Sequence, residues 1–208
     1  MPKIVDHEHR RRLVAKVVLD TIAAVGPERT TLREIARRGG FSHTSLHHYF
    51  RNLDDVLGFA YEYLTDTVVT RMQEQAAALD GGGPRLYAAL DSACPYRFGI
   101  GAVTTLAFWV QTVSGKRAAR TQRLAYGVLR RSIRQFIEEA RIEGHIATQI
   151  DTDELVELSV IFLDGLCVAA SLEKRACGRR RQVQLLDAFF EATFRPVHGP
   201  FHKPPQRE

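Results

Sequence analysis

Ser42, His43, Thr44, Ser45, His47, His48 and Tyr49 place hydroxyls, imidazoles and a phenol in one short run, broken only by Leu46. Such groups donate and accept hydrogen bonds on short side chains that lose little entropy when held, which suits them to base edges and phosphate oxygens. Between residues 31 and 51, the arginines Arg33, Arg37, Arg38 and Arg51 face a single acid, Glu34, and Arg10, Arg11 and Arg12 form a second basic run upstream. Local positive charge of this kind attracts phosphates. Thr31, Arg33, Ser42, His43, Thr44, Ser45, His47, His48, Tyr49 and Arg51 are therefore the candidate DNA-contacting set. His43 and His47, four apart on one helical face, also have the spacing of two metal ligands. No third ligand stands near them in sequence, so no metal is assigned.

Two short helices must position these groups. In Thr31-Leu32-Arg33-Glu34 the threonine hydroxyl caps a helix start while the glutamate reaches back, a capping box. Leu32, Ile35 and Ala36 face inward, and Gly39-Gly40 ends the helix. Phe41 re-enters the core, Ser42 caps a third helix, and the step from Leu46 to Phe50 leaves the polar residues outside. Before them, Val14, Val17, Val18 and Ile22 form one stripe on a helix over 6–25, closed by Gly26 and Pro27. After them, a helix over 53–79 buries Val56, Leu57, Ala60, Leu64 and Val68, with Asp54 and Asp55 at its positive end. Two short helices joined by a glycine turn have the dimensions of a helix-turn-helix, whose second helix enters the major groove.

Gly81-Gly82-Gly83-Pro84 is the clearest break in the chain. Beyond it the periodicity predicts helices over 85–94, 99–114, 117–143, 151–175 and 179–194, with Asp151 as a cap. No stretch alternates with a period of two, so the fold class is all-α. The expected organisation is a helix-turn-helix domain over 1–52, a helical ligand-binding and dimerisation domain over 53–195, and a disordered tail over 196–208.

Hydrophobic residues at 45% and charged residues at 25% are ordinary for a globular chain. A net charge of +5 and a pI near 9.3 favour an anionic partner. Cys94, Cys167 and Cys177 have neither metal spacing nor a disulfide pattern and fit a reducing compartment. The N-terminus carries no secretory signal, and the apolar run from Leu155 to Leu172 contains Glu157 and Asp164, so a cytoplasmic protein with no membrane partner is expected. There is no phosphate-cradling glycine loop, no metal cluster and no histidine partner for Cys94. An enzyme is not expected, and no cofactor is assigned.

The ordered set Thr31-Leu32-Arg33-Glu34-Ile35-Ala36, Gly40-Phe41-Ser42, Leu46, Tyr49-Phe50, Asp54 and Leu57 resembles the TetR family of regulators over roughly the first sixty residues. The resemblance implies a recognition helix over 42–49. The family's pattern usually has a tyrosine at the position of His47 and a lysine at that of Leu53, both phosphate contacts there. A leucine cannot neutralise a phosphate and a neutral imidazole cannot either, which points to weaker or pH-sensitive DNA binding.

The stretch from Leu155 to Leu172 is more apolar than a one-sided helix can bury, so it should meet the core on one side and a second copy on the other. Val183, Leu186, Phe190 and Phe194, with Leu185 and Phe189 beside them, make a second wide stripe. Ile161, Leu166, Leu185, Phe189 and Phe190 are the candidate homodimer contacts, and a two-fold dimer would read a palindromic operator with two recognition helices. Cys94, Tyr96, Phe98, Thr105, Phe108, Trp109, Tyr126, Arg130 and Asp164 are the candidate pocket for a small-molecule effector. Trp109 or Tyr126 would face a cation through its ring, with Asp164 supplying charge. Alternatively, Asp164 pairs with Arg130 or Arg134 as a structural ion pair. Residues 99–114, with Ala107-Phe108-Trp109, and the step Asp164-Gly165-Leu166 look like the C-terminal domain of the choline-responsive, BetI-like branch. The expected function is a ligand-responsive regulator, a repressor that leaves its operator when effector binding shifts the helix over 53–79. The other reading is a dimeric helical adaptor that binds no DNA.

Overall fold

The computed structural model describes residues 7–98, 101–114, 116–173 and 175–197. Among them the chain forms nine α-helices and no strand: α1 (His7–Val25), α2 (Leu32–Gly39), α3 (His43–Tyr49), α4 (Leu53–Ala77), α5 (Gly82–Ser92), α6 (Gly101–Ser114), α7 (Lys116–Ile142), α8 (Thr152–Leu172) and α9 (Arg179–Thr193). A 3-10 turn, Pro95–Arg97, follows α5. The helices fall into two compact units, Met1–Asp66 with Ile100–Ala125, and Thr67–Gly99 with Tyr126–Glu208. The divisions fall inside α4 and inside α7, so each of these helices serves both units.

The core of the first unit consists of the residues whose spacing predicted it. Val14, Ala15, Val18 and Ile22 of α1 meet Ile35 and Ala36 of α2, Leu46 and Phe50 around α3, and Val56 and Ala60 of α4. Val17, Leu32, Phe41, Leu53 and Leu57 are partly buried around them. Phe50 is 2% exposed, and burial of such a side chain contributes about 2–3 kcal/mol. On α4 and α6, Tyr61 and Phe108 stack with ring centroids 4.1 Å apart.

The second unit is built on Met72, Leu86, Leu90, Ile133, Ile137, Leu155, Leu186 and Phe194, all buried. Asp151 caps α8 as expected, its Oδ1 accepting from the amides of Asp153 (2.7 Å) and Glu154 (3.4 Å). The α8 run is sorted by face. Leu155, Val156, Ser159, Val160, Leu163 and Leu166 are buried, while Ile161 (64%), Val168 (37%) and Leu172 (74%) remain exposed. By length and composition alone α8 could cross a membrane. Its buried face instead supplies the core of this unit.

Two sequence expectations need revision. The glycine run is not a break of four residues, because α5 begins at Gly82 and absorbs Gly83 and Pro84 into its first turn. Gly82 is needed for close approach. A Cβ there would stand 2.6 Å from the backbone of Ala140 on α7, and its amide donates to Glu143 Oε2 at 2.6 Å. The ordered chain also continues past Thr193. The Ala147 amide donates to the Arg195 carbonyl (3.1 Å), the Val197 amide donates to the His145 carbonyl (3.0 Å), and Ile146 and Pro196 form an antiparallel bridge. The rest of the expected tail, 198–208, lies outside the described residues. Because the contact at Gly82 is with backbone, which cannot swing aside, Gly82→Ala is expected to destabilise the second unit by about 2 kcal/mol, read as a lower urea midpoint. Gly165→Ala, where a Cβ meets open space, should leave the midpoint unchanged or raised.

Candidate functional site

The turn between α2 and α3 depends on two adjacent glycines with different duties. Gly40 takes φ +65°, the left-handed conformation that closes α2, and its amide donates to the Ala36 carbonyl. Gly39 lies against the Phe41 ring so closely that a Cβ would stand 2.2 Å from it. Phe41 is thereby held against the first core, and the chain emerges into α3 at Ser42, whose Oγ accepts from the Ser45 amide at 3.0 Å. Leu46 and Phe50 then face the core, which leaves Thr44, His47 and His48 exposed and Ser45 and Tyr49 half-buried. The side chain of His43 lies outside the described residues. Thr31, Arg33, Ser42 and Arg51 are also exposed, so every described member of the predicted DNA-contacting set reaches the surface of the first unit. A shallow open depression lined by Arg11, His47, His48, Tyr49, Arg51 and Asp55 lies beside the C-terminal end of α3.

The capping box is only half made. Thr31 Oγ1 accepts from the Glu34 amide at 3.2 Å. The Glu34 carboxylate, however, turns forward to Arg37 (2.6 and 2.8 Å) and Arg38 (2.6 Å) instead of reaching back. Two guanidiniums outcompete one backbone amide, and they pull the Glu34 carboxyl down to about 2. Arg37 and Arg38 are therefore partly spent, whereas Arg33 is in no ion pair among the described residues. The upstream basic run is also partly committed. Arg11 sits over the rings of Phe50 (5.4 Å) and Phe59 (4.2 Å), and Arg10 sits over Phe41 (5.3 Å). Phe50 belongs to the core of the first unit and Phe41 and Phe59 pack against it, so these arginines have a packing role that the run of three did not reveal. A full cap was also missed at the start of α4. Asn52 Oδ1 accepts from the Asp55 amide (2.9 Å), and Asp55 Oδ2 accepts from the Arg51 amide (3.1 Å).

The nine effector candidates do not form one group. Thr105, Phe108 and Trp109 belong to the first unit. A cavity there, lined by Thr104, Ala107 and Phe108 with Ile22, Pro27, Thr30 and Leu57, is about 20 Å3, room for one water. Cys94 is fully buried, with its thiol on the Leu90 carbonyl, and has no surface for a ligand. Tyr96 is engaged by Asp91, which also holds Arg97, and Phe98 lies under the Arg71 guanidinium at 5.0 Å. Tyr126, Arg130 and Asp164 do come together. Tyr126 Oη donates to Asp164 Oδ2 at 2.8 Å, and the Arg130 guanidinium lies 5.2 Å from the Tyr126 ring centroid. Arg130 is gripped by Glu157 (2.6 and 2.9 Å), and Arg134 pairs with Asp153, so neither arginine forms the expected ion pair with Asp164. Arg130 already occupies a face of Tyr126 that a ligand cation would use.

Burial raises the Asp164 carboxyl to about 6 against the pull of Tyr126 and Arg130, and burial with Asp164 nearby pushes the Cys167 thiol to about 12. An acid kept at such a cost marks a functional candidate. Because the folded value lies above the unfolded one, ionisation of Asp164 opposes folding, and its relief is complete only below about pH 4. Asp164→Asn is therefore expected to raise Tm at pH 7.5. That gain should shrink as the pH falls through 6 and vanish near 4, as followed by thermal melts across pH.

Of the dimer candidates, Ile161 is exposed and Leu185 and Phe189 are half-buried, Phe189 stacking on Phe162 at 4.3 Å. Leu166 (3%) and Phe190 (2%) are closed into the core of their own chain and have no area to offer a partner.

Residues 19–58 match the family described as "Bacterial regulatory proteins, tetR family" and residues 84–195 match "BetI-type transcriptional repressor, C-terminal". The chain is 37% identical over 76 residues to the HTH-type transcriptional regulator PksA of Bacillus subtilis, covering 36% of this chain and 37% of that protein. It is 26% identical over 130 residues to the regulator BetI of Yersinia pestis, covering 60% of this chain and 65% of the relative. The match to BetI of Agrobacterium fabrum is 24% over 197 residues, covering 92% and 91%. These alignments span just over a third of the Bacillus relative and just under two thirds of the Yersinia one. In fold, the chain superposes on a transcriptional regulator from Rhodococcus with a TM-score of 0.75 at 22% identity, covering 93% and 99% of the two chains. A regulator from Saccharomonospora viridis, solved in complex with choline, gives 0.75 at 22% identity over 88% and 96%.

Proposed function

Because the chain belongs to the TetR family and carries a BetI-type repressor C-terminal domain, we propose that it is a ligand-responsive repressor that binds a palindromic operator as a homodimer and leaves it when a small molecule binds. The observation that carries this reading is the surface of α3. A helix of seven residues is pinned to the core by Leu46 and Phe50, and its polar side chains are presented outward beside Arg33 and Arg51. Thr44 and His48 are the base-edge candidates, and Thr31, Arg33, Ser42, His47, Tyr49 and Arg51 are the candidates for phosphate contacts. Leu53 is packed at the edge of the core instead of serving as a phosphate contact. In a mobility-shift titration, the duplex carrying the palindrome nearest the protein's own gene is expected to bind with steep salt dependence. Thr44→Ala with His48→Ala should cost about 2–4 kcal/mol and relax discrimination between sequences. Salt-independent binding, or no binding to any such duplex, would refute the reading.

Dimerisation is assigned to the exposed edge of α8, Ile161 with Val168 and Leu172, together with Leu185 and Phe189 of α9. A short recognition helix binds well only in pairs, so monomerisation should weaken operator binding by about two orders of magnitude. Ile161→Asp is expected to shift the protein to monomer in sedimentation velocity and lower operator affinity in parallel. A variant that sediments as a dimer would clear this face of the role. The effector site is assigned to the group Tyr126, Arg130 and Asp164, where a half-buried acid and a phenol meet. α4 begins four residues after the recognition helix and continues unbroken into the second unit, and it is the element through which release would act.

A further inference from the structure

Between Ala93 and Ile137 the chain has no aspartate or glutamate, yet it carries eight lysines and arginines. Four of them, Lys116, Arg117, Arg120 and Arg123, fall in the first eight residues of α7. The N-terminal end of a helix is its positive end, so cations there are unfavourable, and α7 has no acid in its first turn to offset them. Farther along the same helix, Arg130 and Arg134 find Glu157 and Asp153. Arg120 and Arg123 are exposed and enter no ion pair among the described residues. They are one turn apart and share a face. Among the described residues no acid is paired with either of these two exposed cations, which leaves both guanidiniums available to an anion from outside.

The position of this end of α7 says which anion. It belongs to the same compact unit as the helix-turn-helix, and Thr121 Oγ1 lies 3.8 Å from where a Cβ on Gly58 would be. Gly58 is five residues into α4, about 7.5 Å along the axis from Leu53. Leu53 itself follows the last residue of α3 by four positions. We propose that Arg120 and Arg123 are accessory contacts to the phosphate backbone of duplex DNA, extending the bound surface beyond the helix-turn-helix. The role rests on the DNA-binding reading above. It also meets the deficit left by Leu53 and by the commitment of Arg11, Arg37 and Arg38, because cations lost near α3 are supplied from α7.

The test is fluorescence anisotropy on a labelled mixed-sequence duplex, with the full-length chain, over salt from about 50 to 200 mM. Phosphate contacts are read in the slope of log affinity against log salt. Arg120→Ala with Arg123→Ala should make that slope shallower by about one unit per arginine lost in each protomer and weaken low-salt binding several-fold. Arg120→Lys with Arg123→Lys should retain the slope. Arg180→Ala with Arg181→Ala, which removes the same charge from α9, should also leave it unchanged. Circular dichroism confirms the fold of each variant. A wild-type slope in the α7 alanine variant, or an equal loss in the α9 control, overturns the proposal and leaves the DNA-binding reading intact. Wild-type chain with no salt-dependent affinity for duplex overturns both. Binding to phosphatidylglycerol vesicles that needs Arg120 and Arg123, without an effect on duplex binding, would overturn it in favour of a membrane surface.

Discussion

The face of Gly39 against the Phe41 ring is the tightest constraint in the first unit, and what that unit presents to solvent follows from it. With a side chain at residue 39 the ring could not lie where it does. The ring would have to move from its place at the edge of the core. With the ring in place, Gly40 at φ +65° turns the chain, Ser42 caps the next helix, and Leu46 and Phe50 have a single buried destination. The polar side chains of α3 are exposed because its apolar ones are fully committed. Packing of this kind fixes which side chains of α3 point to solvent.

Charge in this protein is rationed by partners more than by totals. The chain carries more basic than acidic residues, but Glu34 holds two arginines, Phe41, Phe50 and Phe59 hold two more through their rings, and Asp91, Glu157 and Asp153 hold Arg97, Arg130 and Arg134. Among the described cations outside such pairs, Arg33 and Arg51 stand around α3 and Arg120 and Arg123 on α7. Net charge describes the field far from the surface, whereas contact with a duplex depends on guanidiniums whose hydrogen bonds are not already made.

Periodicity made most of the helices legible, because the burial of Val14, Val18, Ile22, Ile35 and Leu46 is a statement about one face of a helix and needs no knowledge of the partner. The α2 and α3 caps were legible for the same reason, since a cap is local. The sequence could not show competition. Glu34 had a backbone amide and two arginines within reach, and which one it chose depends on geometry that a motif does not encode. Leu166 and Phe190 lie on apolar stripes, as an interface residue would, but in a helix apolar on most sides only packing decides which apolar residues face inward. The effector candidates were gathered by type from helices assumed to converge. Tyr126 and Asp164 meet, while Thr105, Phe108 and Trp109 belong to a different unit.

α8 shows how much can be concealed in a run that looks uniform. Glu157, Ile161, Asp164, Val168 and Leu172 recur at steps of four, three, four and four, so they fall on one stripe. That stripe is the exposed one, with Ile161 and Leu172 well exposed and Asp164 half-buried between them. The acid raised by burial and the exposed apolar edge are therefore neighbours on the same turns. A rotation of α8 that exposes Asp164 to water must also re-aim Ile161 and Val168, because a helix turns as a whole. Two properties that would be independent on separate elements, the ionisation of one carboxyl and the presentation of one apolar edge, are bound together by the geometry of a single helix.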